Sequence, residues 1–238
     1  MVAADVAAFM LFGAFFSFIF LTSLLMQQLL LYSPTRTGVA WLATSLTAFL
    51  AAGITGARLA TTFGIRRVLI AGMSLLALGL LWLVRVPPGA DYLTDLLPAL
   101  LLAGVAIGLA APTVQIGALS GVAGRSVGLA SGLVETMREI GGAVGIAAVS
   151  TVLVARTRDA IEIADPAARA AAAFDGFQSA FVVTVVLATL GMLVAVIAFP
   201  RVPQDVPALS GDEELAVIEP GSGQVAVLGV AGADPALS

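Results

Sequence analysis

The sequence contains no cysteine and no histidine, and every one of its eleven cationic side chains is arginine. Without cysteine there are no disulfides, no thiolate nucleophiles and no iron–sulfur ligands. Without histidine the commonest general base, proton shuttle and metal ligand is missing. Charge itself is scarce: Asp, Glu, Lys and Arg make up 11% of the chain, against about 25% in soluble domains. Apolar residues make up 60%, and the mean hydropathy is +1.07. A soluble globule of 238 residues needs charge over its whole surface, and this chain cannot supply it. The composition predicts an all-α membrane protein, with no enzymatic chemistry and no cofactor. The net charge of −4 comes largely from the last segment, where Asp205, Asp212, Glu213, Glu214, Glu219 and Asp234 face only Arg201. No basic patch fit for nucleic acid exists.

A spanning helix needs about 20 apolar residues. Six such runs are predicted: 6–31, 38–57, 68–84, 96–119, 127–155 and 177–199. Beyond them, 201–238 is rich in Pro, Gly and acid and reads as a disordered acidic cytoplasmic tail. Six crossings put both termini on one side. With the termini inside, Arg58, Arg66, Arg67, Arg125 and Arg201 are cytoplasmic, and Arg36, Arg85, Arg156, Arg158 and Arg169 are outside. That count is a tie. The density of arginine over 58–67 favours cytoplasmic termini.

The six runs differ in polarity. The third and sixth are nearly pure hydrocarbon. The first carries Ser17, Thr22, Ser23, Gln27 and Gln28, the fourth Pro112, Thr113 and Gln115, and the fifth Glu135, Arg138 and Glu139. Polar groups in hydrocarbon are costly, so these three helices are expected to face the protein interior or water. Polar first helices and apolar third helices fit a 3+3 inverted repeat. The glycine pairs 104/108, 117/121, 128/132 and 141/145 each put two small residues on one helix face, where neighbouring backbones can approach.

Three stretches bear a family resemblance. Gln27-Gln28-Leu29-Leu30-Leu31-Tyr32-Ser33-Pro34-Thr35-Arg36-Thr37-Gly38 resembles a helix end followed by "YSP" and Gly. The run Ala57-Arg58-Leu59-Ala60-Thr61-Thr62-Phe63-Gly64-Ile65-Arg66-Arg67 resembles a "GxLaDRxGxRR" loop. Arg125-Ser126-Val127-Gly128-Leu129-Ala130-Ser131-Gly132, then Arg138 and 141–147, is similar to "aGlASG…rqlGGalGvA". These belong to fourteen-helix drug:proton antiporters of the major facilitator superfamily. The resemblance covers about residues 1–200 and implies the C-terminal six-helix half of such a bundle, with both termini cytoplasmic. The pattern is departed from in the loop, where Thr61 stands in place of its Asp, Thr62 in place of its Arg and Ala57 in place of its leading Gly. Glu135 and Glu139 stand where the family has amides.

Implied with it are a proton, a small lipophilic substrate, the lipid bilayer and a second six- or eight-helix half or a homodimer. The alternative is a truncated, non-transporting scaffold or relic of such a transporter. Thr22, Gln27, Thr113 and Gln115 are candidates for the substrate pathway, against plain interhelical hydrogen bonding. The phenylalanines at 9, 12, 15, 16, 18 and 20 are either an aromatic surface for lipophilic drugs or simple packing. Gly64, Arg66 and Arg67 are the cytoplasmic loop motif, whose arginines anchor the interface or latch a gate. Ser131 lacks any histidine base, which excludes a serine protease.

The fifth run alone has ionisable groups in its middle. A rise of about 1.5 Å per residue from Val127 puts Glu135 roughly 12 Å and Glu139 roughly 18 Å deep, near the centre of a core about 30 Å thick. Arg138 is expected to pair with Glu135 at i,i+3. That leaves Glu139 without a partner in this chain; Glu135 and Glu139 are the candidates for proton coupling, against the plainer reading that another helix satisfies the odd acid or that it stays protonated and packs.

Overall fold

The computed structural model describes residues 2–120, 122, 126–158 and 165–199; the tail expected over 201–238 lies outside the described residues. Among them the chain is helical and has no strand. The order is α1 (Val2–Leu24) with a π-helical extension Leu25–Leu29, α2 (Pro34–Ala40), α3 (Leu42–Leu50) with a π-helical extension Ala51–Gly56, and α4 (Ala57–Phe63). Then come α5 (Ile65–Leu83), a π-helical turn Tyr92–Leu96 leading into α6 (Leu97–Leu119), α7 (Val127–Thr157) and α8 (Pro166–Ala198). Among the described residues, five helices are long and apolar enough to cross a membrane.

The second expected crossing, 38–57, is helical but not one helix. It is split at Trp41 and again by the π-helical stretch at 51–56, so the path from Pro34 to Phe63 is a chain of short pieces. α8 starts at Pro166, well before 177. The alanines at 170–173 are the strongest helix formers and carry the helix past its apolar run.

Local chemistry sets the breaks. Pro34 occupies the first helical position of α2, and the Ser33 hydroxyl accepts the Arg36 N–H at 3.2 Å. Asp91 Oδ2 accepts the Leu93 N–H at 2.9 Å, and Asp95 Oδ2 accepts the Asp91 N–H at 2.8 Å, so each stabilises the other's turn. Gly64 caps α5 at φ 84°, a backbone shape that side chains rarely adopt.

The helix pairings repeat under exchange of the two halves. α1 packs on α7, and its counterpart α6 packs on α3 and the π segment after it. α5 packs on α6, and its counterpart α8 packs on α1. The first helices α1 and α6 touch, as do the third helices α5 and α8. This is the contact pattern of a 3+3 inverted repeat.

Small residues make the close crossings possible. A Cβ on Gly141 or Gly145 would run into the carbonyls of Phe9 and Gly13 on α1, and one on Gly104 or Gly108 would meet Thr44 and Ala48 of α3. Gly72 and Gly79 lie within about 3 Å of the α6 backbone in the same sense. Gly128 and Gly132 depart from the expected packing, since nothing stands within 4 Å of where their Cβ atoms would be. Gly117 meets the Phe199 ring, and Gly121 is outside the described residues.

The spans are covered unequally. α7 is the least covered span: 28% of its most apolar stretch is buried, against 56% for the span holding α6. On α2 and α3, Val39, Leu42, Leu46 and Phe49 are exposed at a three- and four-residue spacing. α3 and α7 each keep an uncovered apolar face.

Candidate functional site

On its uncovered face, α7 presents Glu135, Arg138 and Glu139 within one turn. Arg138 Nη2 lies 2.7 Å from Glu135 Oε1 and 3.2 Å from Glu139 Oε1, and Nε also donates to Glu139 at 3.3 Å. The two carboxylates are 54% and 58% exposed and the arginine 37%. Glu139 is thus not left alone as expected. The guanidinium fork is wide enough to serve the acid one turn back and its immediate neighbour together. The cluster carries one net negative charge.

The same guanidinium sits over the Phe12 ring of α1, its carbon 5.1 Å from the centroid. Phe12 begins a chain of aromatics. Its ring meets Phe16 edge-on at 5.9 Å, Phe16 lies 6.5 Å from Phe15, and Phe15 stacks on Phe18 at 6.1 Å. Phe18, fully buried, meets Trp41 edge-on at 5.5 Å. The Trp41 indole N–H donates to Ser23 Oγ at 3.1 Å, tying the junction of α2 and α3 to α1. Phe15, Phe16 and Trp41 stay half-buried. An aromatic wall thus runs across α1, from the charged cluster on α7 to the flank made by α2 and α3.

The four residues expected on a substrate pathway do not come together. Thr22 and Thr113 are fully buried. Thr113 donates back to Leu109 O at 2.6 Å, the habit of helical threonines, whereas Thr22 Oγ1 finds no partner. Gln27 is exposed in the π-helical extension of α1, and Gln115 is half-buried on α6. Of the loop motif, Gly64 forms the bend. Arg66 donates from Nε and Nη2 to Val196 O at 3.1 and 2.6 Å, and Arg67 is exposed. No cluster of acidic residues that could hold a metal ion occurs among the described residues. Sequence reasoning missed Trp41, took Ser23 only as one of the polar groups on an inward-facing helix, and left the phenylalanines undecided. The spacing Phe12, Phe15, Phe16, Ile19, Ser23 along one side of α1 was the available signal.

The fold defines a multi-pass, all-helical membrane protein of the half-bundle type. The Major Facilitator Superfamily model matches residues 5–236, and the chain belongs to that superfamily, a family of transporters. It is 34% identical over 190 residues to the puromycin resistance protein pur8 of Streptomyces alboniger, covering 79% of this chain and 37% of that protein. It is 34% identical over 134 residues to the cephamycin export protein CmcT of Amycolatopsis lactamdurans (56% of this chain, 27% of that one). A multidrug resistance protein B homolog of Mycobacterium tuberculosis is 32% identical over 142 residues (59% and 26%). The matched stretches span well under half the length of these relatives.

Proposed function

We propose that this chain acts as one six-helix half of a proton-coupled exporter of small lipophilic molecules in the cell membrane, with both ends cytoplasmic. The observation that carries the reading is the aromatic wall joined to the exposed Glu135–Arg138–Glu139 cluster on α7. Charges at membrane depth are expensive unless they face water or a partner surface. A second six- or eight-helix bundle, or a second copy, seated across α3 and α7 would enclose the wall and make a pathway between two bundles. Rings of a substrate would pack on Phe12, Phe15 and Phe16. A proton taken up by Glu139 would remove the cluster's net charge and release one arm of Arg138, which couples protonation to the shape of the wall.

The test is Glu139→Gln in the complete transporter, reconstituted in liposomes with an imposed proton gradient. Folding and insertion stay intact, and substrate accumulation no longer follows the gradient. Equal gradient-driven accumulation by wild type and variant would remove Glu139 from the mechanism. A purified monomer of this chain that pumped a substrate uphill would overturn the need for a partner.

A further inference from the structure

At the end of α5 away from Gly64, the chain also reverses between α1 and α2. Leu31 takes φ 55°, the one positive φ outside glycine among the described residues, and the Tyr32 N–H donates back to Met26 O at 2.9 Å. The turn folds Tyr32 inward until 8% of it is exposed. Arg36, one helical turn on, places its guanidinium carbon 3.8 Å from the centre of the Tyr32 ring. From the π-helical turn before α6, the Tyr92 hydroxyl donates to Ala40 O at 3.0 Å and closes the other side. Between them lies a cavity of about 200 Å³, lined by Tyr32, Arg36, Val39, Ala40 and Tyr92.

Two polar groups of this lining have donors unspent. The Tyr32 hydroxyl has no hydrogen-bond partner among the described residues, although its residue is more than nine-tenths buried. A buried phenol normally finds one. Arg36 rests on the Tyr32 ring, and its N–H fork pairs with no acid among the described residues. The acids of the adjoining turn are engaged elsewhere. Asp91 and Asp95 each accept a backbone N–H, at 2.9 and 2.8 Å, and neither pairs with Arg36. Tyr92 has committed its proton to Ala40 O, so it contributes its ring and no donor.

Two converging donors call for a group that only accepts, and a guanidinium fork holds a carboxylate through two parallel hydrogen bonds. The remaining walls are two tyrosine rings, Val39 and Ala40, which suit a flat apolar body. The volume falls below the range of drug-sized sites, which begins at about 300 Å³, and has room for a single ring. We propose that this cavity binds a small aromatic carboxylate, its acid group on Arg36 and the Tyr32 hydroxyl and its ring against Tyr92. The site goes beyond the transport reading, and nothing in it requires that reading to hold.

The probe is sodium benzoate, added to the detergent-purified protein and followed by saturation-transfer NMR against empty micelles. Wild type binds it saturably with a Kd of about 1 mM or tighter, ordinary for so small a ligand. Benzyl alcohol, with the same ring and no charge, binds at least about fivefold more weakly. Arg36→Gln, at an exposed position, weakens benzoate about tenfold or more and removes the preference over the alcohol, as loss of a hydrogen bond to a charged group does. Tyr32→Phe keeps the ring and weakens benzoate about two- to tenfold. Val39→Trp, filling the cavity from a side chain that is 60% exposed, abolishes binding at unchanged helical content; if it fails to fold, the first two variants carry the test. No saturable binding by wild type would mean that water alone fills the space and would overturn the assignment. So would equal affinity for benzyl alcohol, displacement by inorganic phosphate as effective as by benzoate, or a folded variant that binds like wild type.

Discussion

Arg66, in the first turn of α5, donates two hydrogen bonds to the carbonyl oxygen of Val196, in the last turn of α8, at 3.1 and 2.6 Å. Terminal carbonyls of a helix have no intrahelical donor, and a cation at a helix C-terminus also complements its dipole. The loop motif's arginine thus holds together the third helices of the two repeats. Arg66→Ala is expected to cost about 1 kcal/mol, the net value of a typical hydrogen bond, seen as a lower unfolding temperature in detergent. Arg67→Ala, at an exposed position, is expected to leave it unchanged.

The glycines separate by neighbour. Gly145→Ala pushes a methyl into the Gly13 carbonyl and is expected to destabilise by about 1–3 kcal/mol, as overpacking does. Gly132→Ala adds the same methyl to open space and is expected to stabilise by up to about 1 kcal/mol through helix propensity. Opposite signs in thermal unfolding check the assignment, and equal shifts would count against the described α1–α7 contact.

The aromatic wall predicts a change in substrate spectrum. Phe16→Ala removes the ring between Phe12 and Phe15, and an aromatic pair is worth about 0.5–1.5 kcal/mol, so resistance to aromatic substrates in an exporting assembly should fall about two- to tenfold. Export of small aliphatic substrates should change less. Resistance assays on cells with matched expression measure both.

Orientation is testable because there is no native cysteine. With both ends cytoplasmic, a cysteine at Ser33 reacts with an impermeant thiol reagent in intact cells, and one at Arg67 reacts only after lysis. The reverse pattern would invert the topology.

The crossings were legible because hydrophobicity is a property of each segment alone. The second was the exception: its apolar content predicted a span, but the split at Trp41 and the π-helical stretch after α3 depend on how α3 meets Gly104 and Gly108. The role of glycine was half legible, since spacing gives the face but not what stands opposite; 141/145 and 128/132 look alike in sequence and differ in the fold. At the site, the proximity of Arg138 to both acids followed from helical spacing. Its division between them did not, because side-chain geometry settles that. Trp41 and Ser23 are 18 positions apart, and no local pattern joins them. Thr22 and Thr113 are buried, and polarity marks an inward-facing helix side without saying whether inside means a path or a core.

The position of α1 also bears on how the protein is made. α1 is ringed by α6, α7 and α8, all of which are synthesised after it. During synthesis it therefore enters the bilayer before the helices of this chain that later cover it. Its polar groups are few, which suits it to waiting. Hydroxyls such as Ser17, which is bonded to Gly13 O on its own helix at 2.7 Å, need no neighbour to survive that interval.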